Sequence, residues 1–133
     1  MLTVSIGTPE VGATYPYAIG YAVTFPEGQV IQVGNARIIA LSYQNEIITD
    51  VDGDRQQMAV GDERIVSARH ATITTLGFFR VTDTNFQFTL KYKGERDNVA
   101  YFDLIVKTSR QVPDYLIRRL LPQEIQAVPI ELQ

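Results

Sequence analysis

From Tyr17 to Phe25 the chain alternates without a break: Tyr17, Ile19, Tyr21, Val23 and Phe25 are bulky, and Ala18, Gly20, Ala22 and Thr24 between them are small. A period of two places the bulky set on one face of a β-strand and the small set on the other. The bulky face supplies a core, and the flat face lets a second layer, or another chain, approach closely. The segment predicts a strand buried on both sides.

Downstream, extended pieces recur between turn signals. Pro26-Glu27-Gly28 turns the chain, Gln29 to Val33 is extended, and Gly34-Asn35 breaks it. Ala36 to Tyr43 and Glu46 to Thr49 are apolar and β-branched, separated by Gln44-Asn45. The Asp-Gly step inside Asp50-Val51-Asp52-Gly53-Asp54 predicts a hairpin, with Arg55 to Val60 as the returning strand. Gly61-Asp62-Glu63 is a further turn. The run from Arg64 to Thr82 is longer than an ordinary strand, so an interruption is expected near Arg69-His70 or Gly77.

The best hairpin comes last. Phe86, Phe88, Leu90 and Tyr92 alternate with Gln87, Thr89, Lys91 and Lys93; Gly94-Glu95-Arg96-Asp97 is the expected turn, and Val99 to Thr108 returns with Phe102, Leu104 and Val106 in phase. One short helix is expected over Tyr115 to Leu121, opened by Pro113-Asp114 and closed by Pro122, with Leu116/Leu120 and Ile117/Leu121 on its apolar side. Gln123 to Gln133 reads as an extended arm, and Leu2, Val4 and Ile6 mark a strand or arm at the N-terminus. Eight to ten strands at spacings of roughly 8–12 residues, plus a late helix, predict an all-β fold. It is expected to be an antiparallel β-sandwich or barrel over 1–112, with a short helix and an extended arm over 113–133.

At 133 residues, 45% of them hydrophobic, the chain suits one domain with a core of its own. It has no cysteine and one histidine, His70. Disulfides, thiolate metal sites and cysteine nucleophiles are thereby excluded, and any histidine-dependent catalysis rests on His70. His70 stands three residues from Ser67, and in a strand that spacing points the two to opposite faces. Asp50, Asp52 and Asp54 suggest a calcium loop, yet the glycine is at its fourth place and Gly61 occupies the twelfth, where a bidentate glutamate belongs. A looser surface site using Asp62 or Glu63 is the remaining metal reading, and a plain turn is the simpler one. No phosphate-binding glycine loop or βαβ alternation is present, so no cofactor is expected.

Charge is uneven around a net of -3: residues 1 to 90 carry five basic and nine acidic groups, residues 91 to 119 seven and four, and the last fourteen only Glu124 and Glu131. Lys91 and Lys93 lie opposite the aromatics of their own strand, with Arg96 in the turn, so the three predict a solvated row protecting a strand edge, not a nucleic-acid surface. Met1-Leu2-Thr3-Val4 has no basic leader pattern, and no apolar stretch reaches membrane-spanning length; synthesis in the cytoplasm without a membrane partner is expected.

Leu120, Leu121, Ile125, Val128, Ile130 and Leu132 place six large aliphatics in the last fourteen residues, where a free tail would be polar. Such an arm either packs on its own domain or joins a neighbouring subunit by strand addition or groove filling. These six are the candidate assembly interface. The expected function is that of a non-enzymatic structural protein that self-associates or docks into a larger particle, such as a capsid decoration, tail or baseplate element of a phage. The alternative is a module that holds a carbohydrate or small ligand against exposed tyrosines.

Overall fold

The computed structural model describes residues 2–75 and 79–132. Among the described residues ten strands run in order: β1 (Leu2–Gly7), β2 (Tyr17–Pro26), β3 (Ile31–Val33), β4 (Ala36–Tyr43), β5 (Glu46–Val51), β6 (Asp54–Met58), β7 (Glu63–Thr75), β8 (Phe79–Arg96), β9 (Val99–Thr108) and β10 (Val128–Ile130). A single turn of helix, α1 (Asp114–Ile117), precedes β10. All pairings are antiparallel, in a six-stranded sheet of order β1-β7-β8-β9-β2-β10 and a four-stranded sheet of order β3-β4-β5-β6. The fold is therefore a two-sheet sandwich, with the meander β3 to β6 inserted between β2 and β7.

The turns follow from residue type. Gly34-Asn35, Gln44-Asn45, Asp52-Gly53 and Asp97-Asn98 all have positive φ at both positions, the geometry that lets a two-residue loop follow the strand twist. Three of these lie where the sequence breaks its pattern. The fourth differs from expectation, since β8 runs on to Arg96 and the chain reverses at Asp97-Asn98. Gly94 is instead next to a bulge, with the register shifting between Tyr92 and Gly94. β7 is continuous through Arg69-His70; its irregularities fall between Ile65 and Ser67 and between Ile73 and Thr74. Gly77 lies outside the described residues.

The inner faces share one core. Tyr21, Val23 and Phe25 of β2, Phe86, Phe88, Leu90 and Tyr92 of β8, and Phe102, Leu104 and Val106 of β9 meet Ile31, Val33, Ile38, Ala40, Ile47 and Met58 from the smaller sheet. Phe25 meets Phe102 edge-on, with ring centroids 5.4 Å apart. The sheets are also tied by Arg64 of β7. Its guanidinium crosses to donate to the Thr49 carbonyl at 2.7 Å and Oγ1 at 3.0 Å, and to the Asp54 carbonyl at 2.8 Å and carboxylate at 3.0 Å. Four acceptors satisfy a buried cation that would otherwise be costly.

The alternation of β2 carries inward only from Tyr21 onward, because Tyr17 is exposed and Ile19 half-buried at the strand's entry. The C-terminal segment is shorter in helix than its pattern suggests. α1 gives way to 3-10 turns at Arg118–Leu120 and Gln123–Ile125, and Leu121, preceding Pro122, is extended at φ -104, ψ 133. Proline's ring disfavours helix in the residue before it, which ends the element one turn early. Residues 113–133 are not a free extension: Ile117 and Ile125 belong to the common core and β10 pairs with β2.

The basic row of β8 is not at an edge, since β8 lies between β7 and β9. Lys91 is cross-strand from Asp103 and Glu63, Lys93 is 3.6 Å from the Asp103 carboxylate, and Arg96 is 3.8 Å from that of Asp97. The row is thus balanced by neighbouring acids. Among the described residues no helix is long and apolar enough to cross a membrane.

Candidate functional sites

A group of polar and titratable side chains surrounds His70 on the outward face of the larger sheet. β7 and β8 pair His70 with Asn85 and Thr72 with Asp83, while the loop after β1 and the chain after β9 bring in Glu10 and Ser109-Arg110. Together they line an open cleft of about 290 Å³. Proton accounting shows what it can do. The Glu10 backbone N–H donates to Asn85 Oδ1 at 3.0 Å, so the His70 Nδ1 that lies 3.0 Å from the same oxygen must also be a donor. His70 Nε2 is then turned to Asp83, 3.8 Å from its Oδ2, with Arg110 Nη1 3.6 Å from Oδ1. Ser109 Oγ accepts from the Asn85 N–H at 2.8 Å and lies 3.2 Å from Thr84 Oγ1. Thr84 Oγ1 in turn donates to the Asn85 carbonyl at 2.9 Å and accepts from the Arg110 N–H at 3.2 Å. The Ser109 proton is therefore directed to Thr84, not to His70. The cluster anchors the loop carrying Glu10 and lacks the nucleophile-to-base contact that acyl transfer requires.

Ser67 is equally remote from His70 chemistry: its hydroxyl donates to the buried Gly34 carbonyl at 2.6 Å, from the opposite face of β7. The aspartates of the β5–β6 hairpin are held one by one. Asp50 Oδ1 accepts from the Gly53 N–H at 2.8 Å and its Oδ2 pairs with Arg55 at 3.2 Å; Asp52 Oδ1 caps the Arg37 N–H at 2.9 Å; Asp54 joins Arg64. Asp62 Oδ2 accepts from the Ala59 N–H at 3.0 Å. Among the described residues no group of three or more acidic or histidine side chains is arranged to hold a metal ion.

A second cleft, of about 370 Å³, opens where the β4–β5 turn meets β8, lined by Tyr43, Gln44, Asn45, Glu46, Val60 and Glu95 among others. It is acidic, and among the described residues no lysine, arginine or histidine lines it. Burial, then the charges of Glu95 and Glu27, push the Tyr92 hydroxyl pKa up from the ordinary tyrosine value. Glu27 Oε1 accepts from the Ser42 N–H at 2.6 Å, while its Oε2 is buried with no donor. The exposed tyrosines do not gather there: Tyr43 is at this cleft, Tyr17 on another groove, and Tyr101 and Tyr115 lie elsewhere.

The six aliphatics of the C-terminal segment divide. Ile125 is fully buried in the chain's own core, with Leu120 and Leu121 packed against it at the margin. Only Ile125 is closed off from a neighbour; Leu120 and Leu121 are half-buried and line an open groove with Val4, Ile6 and Pro122. Ile130 and Leu132 lie on the flat outward spot of β2; a Cβ placed on Gly20 would fall 2.6 Å from Leu132 Cδ2 and 3.0 Å from Ile130 Cγ1. Val128 and Leu132 stay open, at 59% and 40% exposure. The segment is fixed by Tyr21, whose hydroxyl donates to Asp114 Oδ1, and by Arg118, whose Nε is 2.9 Å from Asp114 Oδ2 and whose guanidinium lies 6.0 Å from the Tyr21 ring centroid.

A further apolar face is one the sequence pattern did not single out. On the outward side of the smaller sheet Ile39, Leu41 and Tyr43 stand in line along β4, and Ile48 of β5 is cross-strand from Leu41. Leu41 is 37% and Tyr43 48% exposed, and Val30 extends the patch beside Ile39. Ala36 to Tyr43 is apolar at nearly every position, so its pattern does not tell the outward side from the inward one. Arg37, in phase with Ile39, Leu41 and Tyr43, was the available signal that this side of the strand faces outward. No family model, curated protein or solved structure matches this chain.

Proposed function

We propose that this protein is a non-enzymatic subunit of a protein assembly, of the kind from which a phage particle is built, and that it associates with copies of itself. The observation that carries the reading is the apolar stripe on the smaller sheet in which Leu41 and Tyr43 are exposed beside the half-buried Ile39 and Ile48. A contiguous apolar patch rimmed by charged side chains is the usual mark of a protein interface. β4 and β5 thereby join the C-terminal segment as candidate interface, a segment in which only Ile125 of the six aliphatics is fully buried in the chain's own core. A carbohydrate-binding module would gather tyrosines in one concavity, and here they are dispersed.

Sedimentation velocity over a rising concentration series tests the reading. The wild type is expected to form a species heavier than the 14.9 kDa chain, and Leu41→Glu to return it to that mass with unchanged circular dichroism. A wild type that remains a single chain up to about 1 mM, where even millimolar affinities populate a complex, overturns it.

A further inference from the structure

We propose that the acidic cleft between the β4–β5 turn and β8 binds a linear aliphatic polyamine, its ammonium groups held by Glu46, Glu95 and the Tyr92 hydroxyl and its chain lying against Tyr43. The site does not depend on whether the chain associates with itself.

Two orphaned groups set this cleft apart from an ordinary acidic patch. Tyr92 lines it and is only 2% exposed, yet its hydroxyl makes no hydrogen bond among the described residues. The hydroxyl is not sealed in protein either, since among the described residues Glu27 Oε2 alone is a buried side-chain polar atom without a partner. What remains open of Tyr92 is therefore its polar end, turned to the cleft and to the charges of Glu95 and Glu27. Glu27 stands behind the wall: its Oε1 accepts from the N–H of Ser42, which lines the cleft, at 2.6 Å, and its Oε2 has no donor. A half-buried carboxylate missing a donor is an uncompensated charge, and a cation brought into the cleft offsets it. The Tyr92 oxygen supplies an acceptor to the same cation.

The ligand that fits is an organic cation with spaced charges. Glu46 enters from β5 of the smaller sheet and Glu95 from β8 of the larger, and among the described residues no three acidic or histidine side chains converge as a metal ion requires. Neither carboxylate is neutralised from within: Glu46 receives a side-chain amide of Gln57, and Glu95 Oε1 the Asn98 N–H at 3.1 Å. The basic residues nearest in sequence are drawn elsewhere, Lys93 to Asp103 at 3.6 Å and Arg96 to Asp97 at 3.8 Å. Tyr43, 48% exposed, offers an aromatic face to an ammonium, and Val60 an apolar surface to methylenes. The volume of about 370 Å³ is that of a small-molecule site.

Spermidine is the probe, read by amide chemical shifts of the full chain at low salt. Saturable shifts at the residues lining the cleft are expected, half-complete below about 5 mM. Glu46→Gln and Glu95→Gln should each weaken binding at least about fivefold, and Tyr92→Phe, which removes a hydroxyl bonded to nothing in the chain, at least about twofold. n-Butylamine, with one ammonium like the lysine side chain of another protein, should bind at least about tenfold more weakly. Magnesium chloride at matched ionic strength should not reproduce the shifts. Circular dichroism checks each fold; should Glu46→Gln not fold without its Gln57 contact, Glu95→Gln and Tyr92→Phe decide. Weaker spermidine binding than this, the same shifts with magnesium, or smaller losses in the folded variants overturn the site. Butylamine binding as tightly as spermidine overturns the polyamine and makes the cleft a seat for a protein side chain.

Discussion

The outward faces of β2 and β4 begin alike and end differently. Both belong to strands with an apolar inner side, and both carry apolar character outward. At β2 the outward residues are small, and Gly20 leaves a spot that Ile130 and Leu132 occupy from the same chain. At β4 the outward residues are large, and Leu41 and Tyr43 remain open. A flat strand face is completed by the segment that follows it, whereas a raised one can only be covered by something that brings its own complementary surface. The position of small residues thus decides which sheet the chain closes for itself.

The largest effect should come from Tyr21, the point where β2, the core and the C-terminal segment meet. Tyr21→Ala is expected to cost about 3–5 kcal/mol in denaturant unfolding, the range for a buried aromatic truncated to alanine. Lys93→Ala, on an exposed position of β8, should stay within about 0.5 kcal/mol. Equal effects would erase the distinction between the closed face and the open one.

Ile125→Ala should follow at about 2–4 kcal/mol, because its side chain is fully buried in the common core. Removing residues 123–133 should therefore lower the melting temperature as well as expose Gly20. A truncated chain that melts like the wild type would show that the segment is not part of the domain.

Smaller again is Tyr21→Phe, which removes only the hydroxyl bonded to Asp114 and should cost about 1–2 kcal/mol at neutral pH. It also has a pH signature. Burial first, then the Asp114 contact, raises the Tyr21 pKa in the folded chain. A proton held more tightly in the folded state than in the unfolded one means that stability is intact below the ordinary tyrosine range. Stability should then fall as pH rises above about 10, while the unfolded chain ionises first. Tyr21→Phe should flatten part of that alkaline decline in a pH series of chemical melts; an unchanged slope would assign the decline to Tyr92 alone. Least of all in stability, Leu41→Glu should change unfolding by no more than about 0.5 kcal/mol while removing self-association, which separates the open face from the closed one most sharply.

The strands were readable because their alternation is local. Phe86 to Tyr92 and Phe102 to Val106 point inward as their period requires, and the Gly34-Asn35 and Asp52-Gly53 reversals follow from residues that tolerate positive φ. The pairing of β1 with β7 and of β2 with β9 was not readable, since neither strand carries a mark of a partner tens of residues away. Gly94 misled for a related reason: a glycine signals an unusual backbone, and only the register distinguishes a bulge from a reversal. The open stripe on β4 was hidden because an apolar residue reads the same whether its face is covered or bare.

The insertion of the meander between β2 and β7 also sets an order of events when the chain folds. β3 to β6 are joined by two-residue reversals, so each pairing closes a loop of a few residues. Joining β2 to β9 requires ends to meet across more than half the chain. Because closure entropy must be met before distant contacts return anything, the local hairpins of β3 to β6 and of β8–β9 are the natural early contacts and the joining of β2 to β9 the late, rate-setting event. During that interval the inner face of the meander, Ile38, Ala40, Ile47 and Met58, is exposed to water, and it is then that the chain is most open to misassembly.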